Sequence, residues 1–99
     1  MARTKLKKWD SAAHLRSEED MALYLEACLE EAGDDAAFVA KALGTVARAK
    51  GMSQLARDTG LGRESLYKAL SGEDNPSFAT ILKVTRALGI KLHAAPINP

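Results

Sequence analysis

The sequence predicts an all-α domain of five helices closed by a short C-terminal β-strand, and three observations carry that reading. Apolar residues recur at spacings of three and four in five successive segments, the period of a helix with one buried face. Ser, Asp or Gly bounds these segments at positions that start or stop helices. Near the end, Ile90, Leu92 and Ala94 alternate with Lys91 and His93, the two-residue period of a strand. With 99 residues and 46% hydrophobic content, the chain reads as one small domain of ordinary globular composition. Such a domain buries well under about 70% of its unfolded surface, so a partner subunit would add to a modest core. The expected division is an N-terminal extended segment over 1–16 and a helical domain over 17–99.

Residues 1–9 read as extended, with Leu6 and Trp9 as their large apolar groups. Asp10 or Ser11 is placed to cap a short turn over AAHL. Ser17 is the N-cap of the first main helix. Glu18, Glu19 and Asp20 then lie at the positive end of its dipole, and Asp20 at the third position nearly completes a capping box. Met21, Leu25, Cys28, Leu29 and Ala32 form its apolar stripe, and Gly33 ends it. Asp34 or Asp35 caps the second helix, whose stripe is Phe38, Val39, Ala42, Leu43, Val46 and Ala47. Gly44 inside that helix costs about 1 kcal/mol relative to Ala, which points to a close helix contact there. Gly51 stops it. Two short helices, Ser53–Thr59 and Arg63–Ser71, lie around Gly60, with Ser53 as cap of the first and Gly72 ending the second. The stretch EDNP is a turn, because Pro76 cannot continue a helix. Ser77 caps the last helix, with Phe78, Ile81, Leu82, Thr85 and Leu88 on its apolar side and Gly89 at its end. The chain closes on PINP, a sequence expected to fray.

Within this series LARDTGLGRESLYKALSG, Leu55 to Gly72, has the pattern of a helix-turn-helix over 53–71. Two helices crossing steeply over a short turn need a small residue at the crossing, supplied by Ala56. They also need a turn residue that accepts positive φ without a Cβ penalty, supplied by Gly60. Leu55, Leu61, Leu66, Ala69 and Leu70 face inward at consistent spacings. Arg63, Glu64, Tyr67, Lys68 and Ser71 are left outward: a bidentate donor, an acceptor, an aromatic hydroxyl, an ammonium and a hydroxyl, groups that reach base edges and phosphates in a major groove. Glu64 fits first-turn dipole stabilisation better than base reading, and Tyr67 serves either DNA contact or packing beside the last helix. Gln54, near the start of the preceding helix, is placed to anchor a phosphate. With Gly62 and Ser65 at the start of the second helix, the expected DNA-binding set is Gln54, Gly62, Arg63, Glu64, Ser65, Tyr67, Lys68 and Ser71.

A net charge of +1 sits awkwardly with a polyanionic partner, but the charge is unevenly spread. Residues 1–40 hold five basic and nine acidic side chains, and residues 41–99 hold nine basic and four acidic. Between Glu18 and Asp35 there are eight acidic residues and no basic one. Such asymmetry fits different partners for different regions, or a solvated acidic helix face with no partner.

No catalytic constellation competes with this reading. His14 and His93 are far apart in sequence, Cys28 falls on an apolar stripe, and the protein is not expected to be an enzyme. Glu30, Glu31, Asp34 and Asp35 lack the alternation and central Gly of a calcium loop, so no metal or cofactor is expected. A single cysteine forms no internal disulfide and fits an intracellular compartment. No apolar h-region follows the basic N-terminus, and no apolar run approaches the roughly 20 residues of a membrane span. The expectation is a soluble, cytoplasmic protein.

The run ALGTVARAKGMSQLARDTGLGRESLYKALSG, followed by NPSFATILKVTRALGIKL, resembles the HigA-type antitoxins, addiction-module antidote proteins with a phage-repressor-like helix-turn-helix. The resemblance spans nearly the whole chain, WDSAAHL and YLEACLEE included. It rests on Ala42–Gly44, Gly51–Met52, Arg63–Tyr67, Asn75–Phe78 and Ala87–Gly89 taken together. The family's turn usually reads Gly-Leu-Ser; here Gly62 stands in place of that Ser, an acceptable N-cap without its hydroxyl. The resemblance implies a dimer that binds a palindromic operator and represses its own operon. It also implies neutralisation of a small, basic RelE/ParE-like (HigB-type) toxin, commonly an mRNA-cleaving ribonuclease. An acidic segment complements such a partner and speeds encounter, so Glu18, Glu19, Glu30 and Glu31 are the expected toxin contacts. The alternatives are a stand-alone prophage-type regulator without a toxin and a purely protein-binding helical module. The expected KLHAA strand either pairs with its copy in a second subunit or packs along Leu6 and Trp9.

Overall fold

The computed structural model describes residues 15–97, so the readings for Leu6, Trp9, His14 and all of the AAHL turn but Leu15 lie outside the described residues. Among the described residues five helices follow in order: α1 Glu18–Ala32, α2 Ala36–Lys50, α3 Met52–Thr59, α4 Arg63–Ala69 and α5 Phe78–Ala87. The all-α class holds.

Side-chain caps start three of them where the sequence places them. Ser17 Oγ accepts from the Asp20 amide at 3.1 Å, and Asp35 Oδ1 accepts from the Phe38 amide at 3.1 Å. Ser77 Oγ accepts from the Thr80 amide, also at 3.1 Å. Each bond satisfies one of the amides that a helix start leaves without an intrahelical acceptor. Asp20 reaches back to the Arg16 amide at 3.3 Å, so the near capping box closes one residue earlier than its usual partner.

The start of α3 departs from expectation. Ser53 is not its cap; the helix begins at Met52, with Gly51 as N-cap and no side-chain cap bond. Gly51, at φ 116°, also ends α2 by donating to Ala47 O at 2.8 Å. One glycine thus serves both helix ends and leaves no linker, while Met52 buries itself in the core.

The core takes one side from every helix. Cys28, Leu43, Val46, Leu55, Leu66, Val84, Thr85 and Leu88 are almost wholly excluded from solvent. Burying the larger apolar members contributes about 1.5–3 kcal/mol each. Thr85 is buried because its hydroxyl donates to Leu82 O at 3.1 Å, which satisfies it. On α5 the buried stripe runs through Val84, Thr85 and Leu88, whereas Phe78 is 69% and Leu82 37% exposed. On α1, Leu29 is 41% exposed. Helical spacing marks an apolar sector wider than the neighbouring helices cover, so these three side chains lie on its open flank.

The C-terminal β-strand is not present: Ile90 to Pro96 has no ladder, and no strand occurs among the described residues. Alternation gives sidedness, but a strand also requires a neighbour to exchange N–H···O bonds with. Ile90 is buried for another reason. Its amide donates to Thr85 O at 2.9 Å, and the Gly89 amide donates to Arg86 O at 3.0 Å. This Schellman closure, with Gly89 at φ 78°, folds Ile90 back onto the core while Leu92 stays 43% exposed.

Candidate nucleic-acid interface

The α3–turn–α4 unit is built from local chemistry. Gly60 takes the left-handed conformation, φ 78°, and donates to Ala56 O at 3.0 Å, ending α3. Thr59 then clamps the turn. Its hydroxyl donates to Leu55 O at 2.8 Å and accepts from the Leu61 amide at 3.2 Å. Gly62, extended at φ −70° and ψ 155°, leads into α4 without a side-chain cap. Leu55 and Leu66 are buried beneath the unit, and Ala56, Leu61 and Ala69 pack against the same cluster.

The turn and α4 leave Gly62, Arg63, Glu64, Ser65, Tyr67 and Lys68 exposed on one short element. Arg63 lies over Tyr67, its guanidinium carbon 5.8 Å from the ring centroid. A half-exposed ring beneath a guanidinium restricts the rotamers of that side chain, and Arg is the residue that combines such stacking with bidentate hydrogen bonding. Gln54 is exposed but engaged: its amide donates to Asp58 Oδ1 at 2.8 Å, and Arg57 donates to its Oε1 at 2.8 Å. Ser71 differs from the expected outward hydroxyl. It is half-buried, donates to Lys68 O at 2.9 Å and accepts from the Glu73 amide at 3.1 Å, so it caps the end of α4.

Arg48 was not singled out from the sequence. It lies on the last turn of α2, exposed, and donates to Thr45 Oγ1 at 3.4 Å. A cavity of about 230 Å³ between α2 and α4 is lined by Gly44, Arg48, Met52, Tyr67, Leu70 and Ser71. Arg48 therefore adds a cation beside Tyr67 from a different helix. The one sequence signal for it is its charge in a last helical turn; its nearness to α4 is set by tertiary packing.

The four acidic residues expected to face a second partner divide. Glu19 and Glu30 are exposed on α1. Glu18 makes an ion pair with Lys50 at 3.6 Å, tying the start of α1 to the end of α2. Glu31 is half-buried beside Cys28, where its charge helps burial to hold the Cys28 thiol above its ordinary pKa, against a hydrogen bond from Tyr24. Exposed Glu26 joins Glu19 and Glu30 on the outer face of α1 instead, with Leu23, 59% exposed, among them. Spacings of four, three and four residues place Glu19, Leu23, Glu26 and Glu30 along one ridge.

Among the described residues no group of three or more His, Cys, Asp or Glu side chains is placed to hold a metal ion. No described helix is long and apolar enough to cross a membrane.

A family model described as "Probable addiction module antidote protein" matches residues 5–96. An uncharacterized protein of Haemophilus influenzae is 54% identical over 86 residues, covering 87% of this chain and 87% of its own. No solved structure matches the chain.

Proposed function

From the premise that the chain belongs to the family of probable addiction module antidote proteins, we propose that it is the antitoxin of a type II toxin–antitoxin module. In this reading it is a non-enzymatic regulator with two partners. It neutralises a small basic toxin of the RelE/ParE-like, HigB type, and as a dimer it binds operator DNA to repress its own operon. The single observation that carries the antitoxin role is the family match over residues 5–96.

The DNA role is supported by the α3–turn–α4 unit read as a helix-turn-helix. Its outward side chains Arg63, Tyr67 and Lys68 supply donors for bases and phosphates, and Arg48 adds a phosphate-binding cation. Gly62 and Ser65 lie at the start of that element, Glu64 stabilises the first turn, and Gln54 faces the phosphate backbone from α3. Ser71 is left a capping role. The toxin role is supported by the acidic ridge of α1, whose sign complements a basic partner.

Co-expression with the product of the adjacent gene, followed by purification, tests the antitoxin role: a stable complex and restored growth are expected. Fluorescence anisotropy on the DNA upstream of the operon tests repression. Binding that weakens as a power of salt concentration supports it, and salt-independent or absent binding rejects it. Binding to DNA with no toxin partner would instead make the protein a stand-alone regulator.

A further inference from the structure

On the flank of α5, Phe78 and Leu82 stand one turn apart and are 69% and 37% exposed. Beside them lies an open, mostly apolar cavity of about 220 Å³, lined by residues that include Leu29, Val39, Ala40, Pro76 and Ile81, with Asp74 as the one charged residue in its wall. We propose that this flank is where two copies of the chain pair, Phe78 of each seated in the cavity of the other. The proposal rests on the dimeric reading given above and names its interface.

Three features favour a second copy as occupant. First, the cavity is large enough for an aromatic ring, given that an apolar cavity of about 150 Å³ holds benzene. Second, knob and hole are neighbours: Pro76 and Ile81 line the hole and Phe78 lies between them in sequence. A surface carrying both side by side closes on itself about a two-fold axis, whereas separated ones propagate into a chain of molecules. Third, the charges are self-complementary. Exposed Glu73 and Asp74 lie just before α5, and exposed Lys83 and Arg86 lie on its second half. An antiparallel two-fold through the Phe78–Leu82 stretch sets the acidic end of one copy against the basic end of the other. Asp58 borders the basic end as well, but it already accepts from Gln54.

The test is sedimentation equilibrium on the full chain, with helical content followed by circular dichroism. Wild type is expected to be dimeric, and Phe78→Asp together with Leu82→Lys to weaken association at least tenfold with the fold intact, since both side chains are exposed. The charge-reversal variants Glu73→Lys/Asp74→Lys and Lys83→Glu/Arg86→Glu are each expected to fail to dimerise alone but to form a mixed dimer when combined. Variants that all remain as dimeric as wild type overturn this interface and leave the dimeric reading standing. A monomeric wild type overturns both, and the flank then belongs to a different protein.

Discussion

Gly44 of α2 lies directly against Leu70 at the end of α4: a Cβ built on Gly44 would stand 2.8 Å from Leu70 O. The missing side chain lets the two helices touch, and the close contact expected from a glycine inside α2 is present. Two effects compete when Gly44 is replaced by Ala. Helix propensity favours Ala by about 1 kcal/mol. Overpacking against backbone, which has no rotamer to move, costs about 1–3 kcal/mol. Gly44→Ala is therefore expected to lower stability by about 1 kcal/mol net in urea melts, and to weaken DNA binding by displacing α4. A stabilised variant would show that α4 yields at this contact.

Arg63 and Tyr67 act as a stacked pair on α4, 5.8 Å apart. Arg63→Ala is expected to cost about 1–3 kcal/mol in operator affinity. Tyr67→Phe keeps the ring under the guanidinium, so it is expected to cost less than Tyr67→Ala. Arg48 is proposed as a phosphate contact, so Arg48→Ala is expected to weaken binding uniformly across sequences while reducing the salt slope by about one. Anisotropy titrations on operator and scrambled DNA at several salt concentrations separate these outcomes. Normal operator affinity in Arg63→Ala would remove α4 from the reading.

Legibility followed the range of each interaction. Ser17, Asp35 and Ser77 were readable as caps because a cap bond spans three residues and needs nothing beyond them. The positive φ of Gly60 was readable for the same reason. Phe78, Leu29 and Leu82 lie on the apolar sides that spacing marks yet are exposed, because periodicity shows which side of a helix is apolar, not how much of it a neighbour covers. The strand from Ile90 failed similarly, since alternation cannot supply a pairing partner. In the candidate site Arg63, Glu64, Tyr67 and Lys68 were legible as outward from spacing, but Ser71 was not legible as a cap, and Arg48 was missed because its place beside Tyr67 depends on how α2 packs. Glu18 and Glu31 were legible as acidic but not as engaged, one by Lys50 and the other beside Cys28.

On α1, Glu19, Glu26 and Glu30 form the exposed acidic ridge, and Glu18 is held by Lys50. Glu19→Lys, Glu26→Lys and Glu30→Lys together are expected to reduce toxin affinity chiefly through a slower association rate, with DNA affinity unchanged or raised. Glu18→Gln breaks an ion pair whose carboxylate is largely exposed and is expected to change stability by under about 1 kcal/mol. Surface-plasmon kinetics with immobilised toxin reads the first effect. An unchanged association rate in the triple variant makes the ridge a solvated face.

Cys28 is 1% exposed at the α1–α2 core, and burial, its largest influence, holds the thiol above its ordinary pKa; the Tyr24 hydrogen bond opposes this and the Glu31 charge adds to it. The folded protein therefore keeps a proton that the unfolded chain releases first. The resulting stability is fully present below the ordinary thiol range and is lost as pH rises through the raised folded value. Wild-type stability relative to Cys28→Ala is accordingly expected to be constant up to about pH 8 and to shrink from about pH 8.5 upward. Urea melts of both proteins across that range check the sign. A thiol reagent is expected to label Cys28 only as fast as the domain opens, so labelling should accelerate with urea. A stability difference that grows with pH would mean that the thiolate, not the thiol, is the form the core favours.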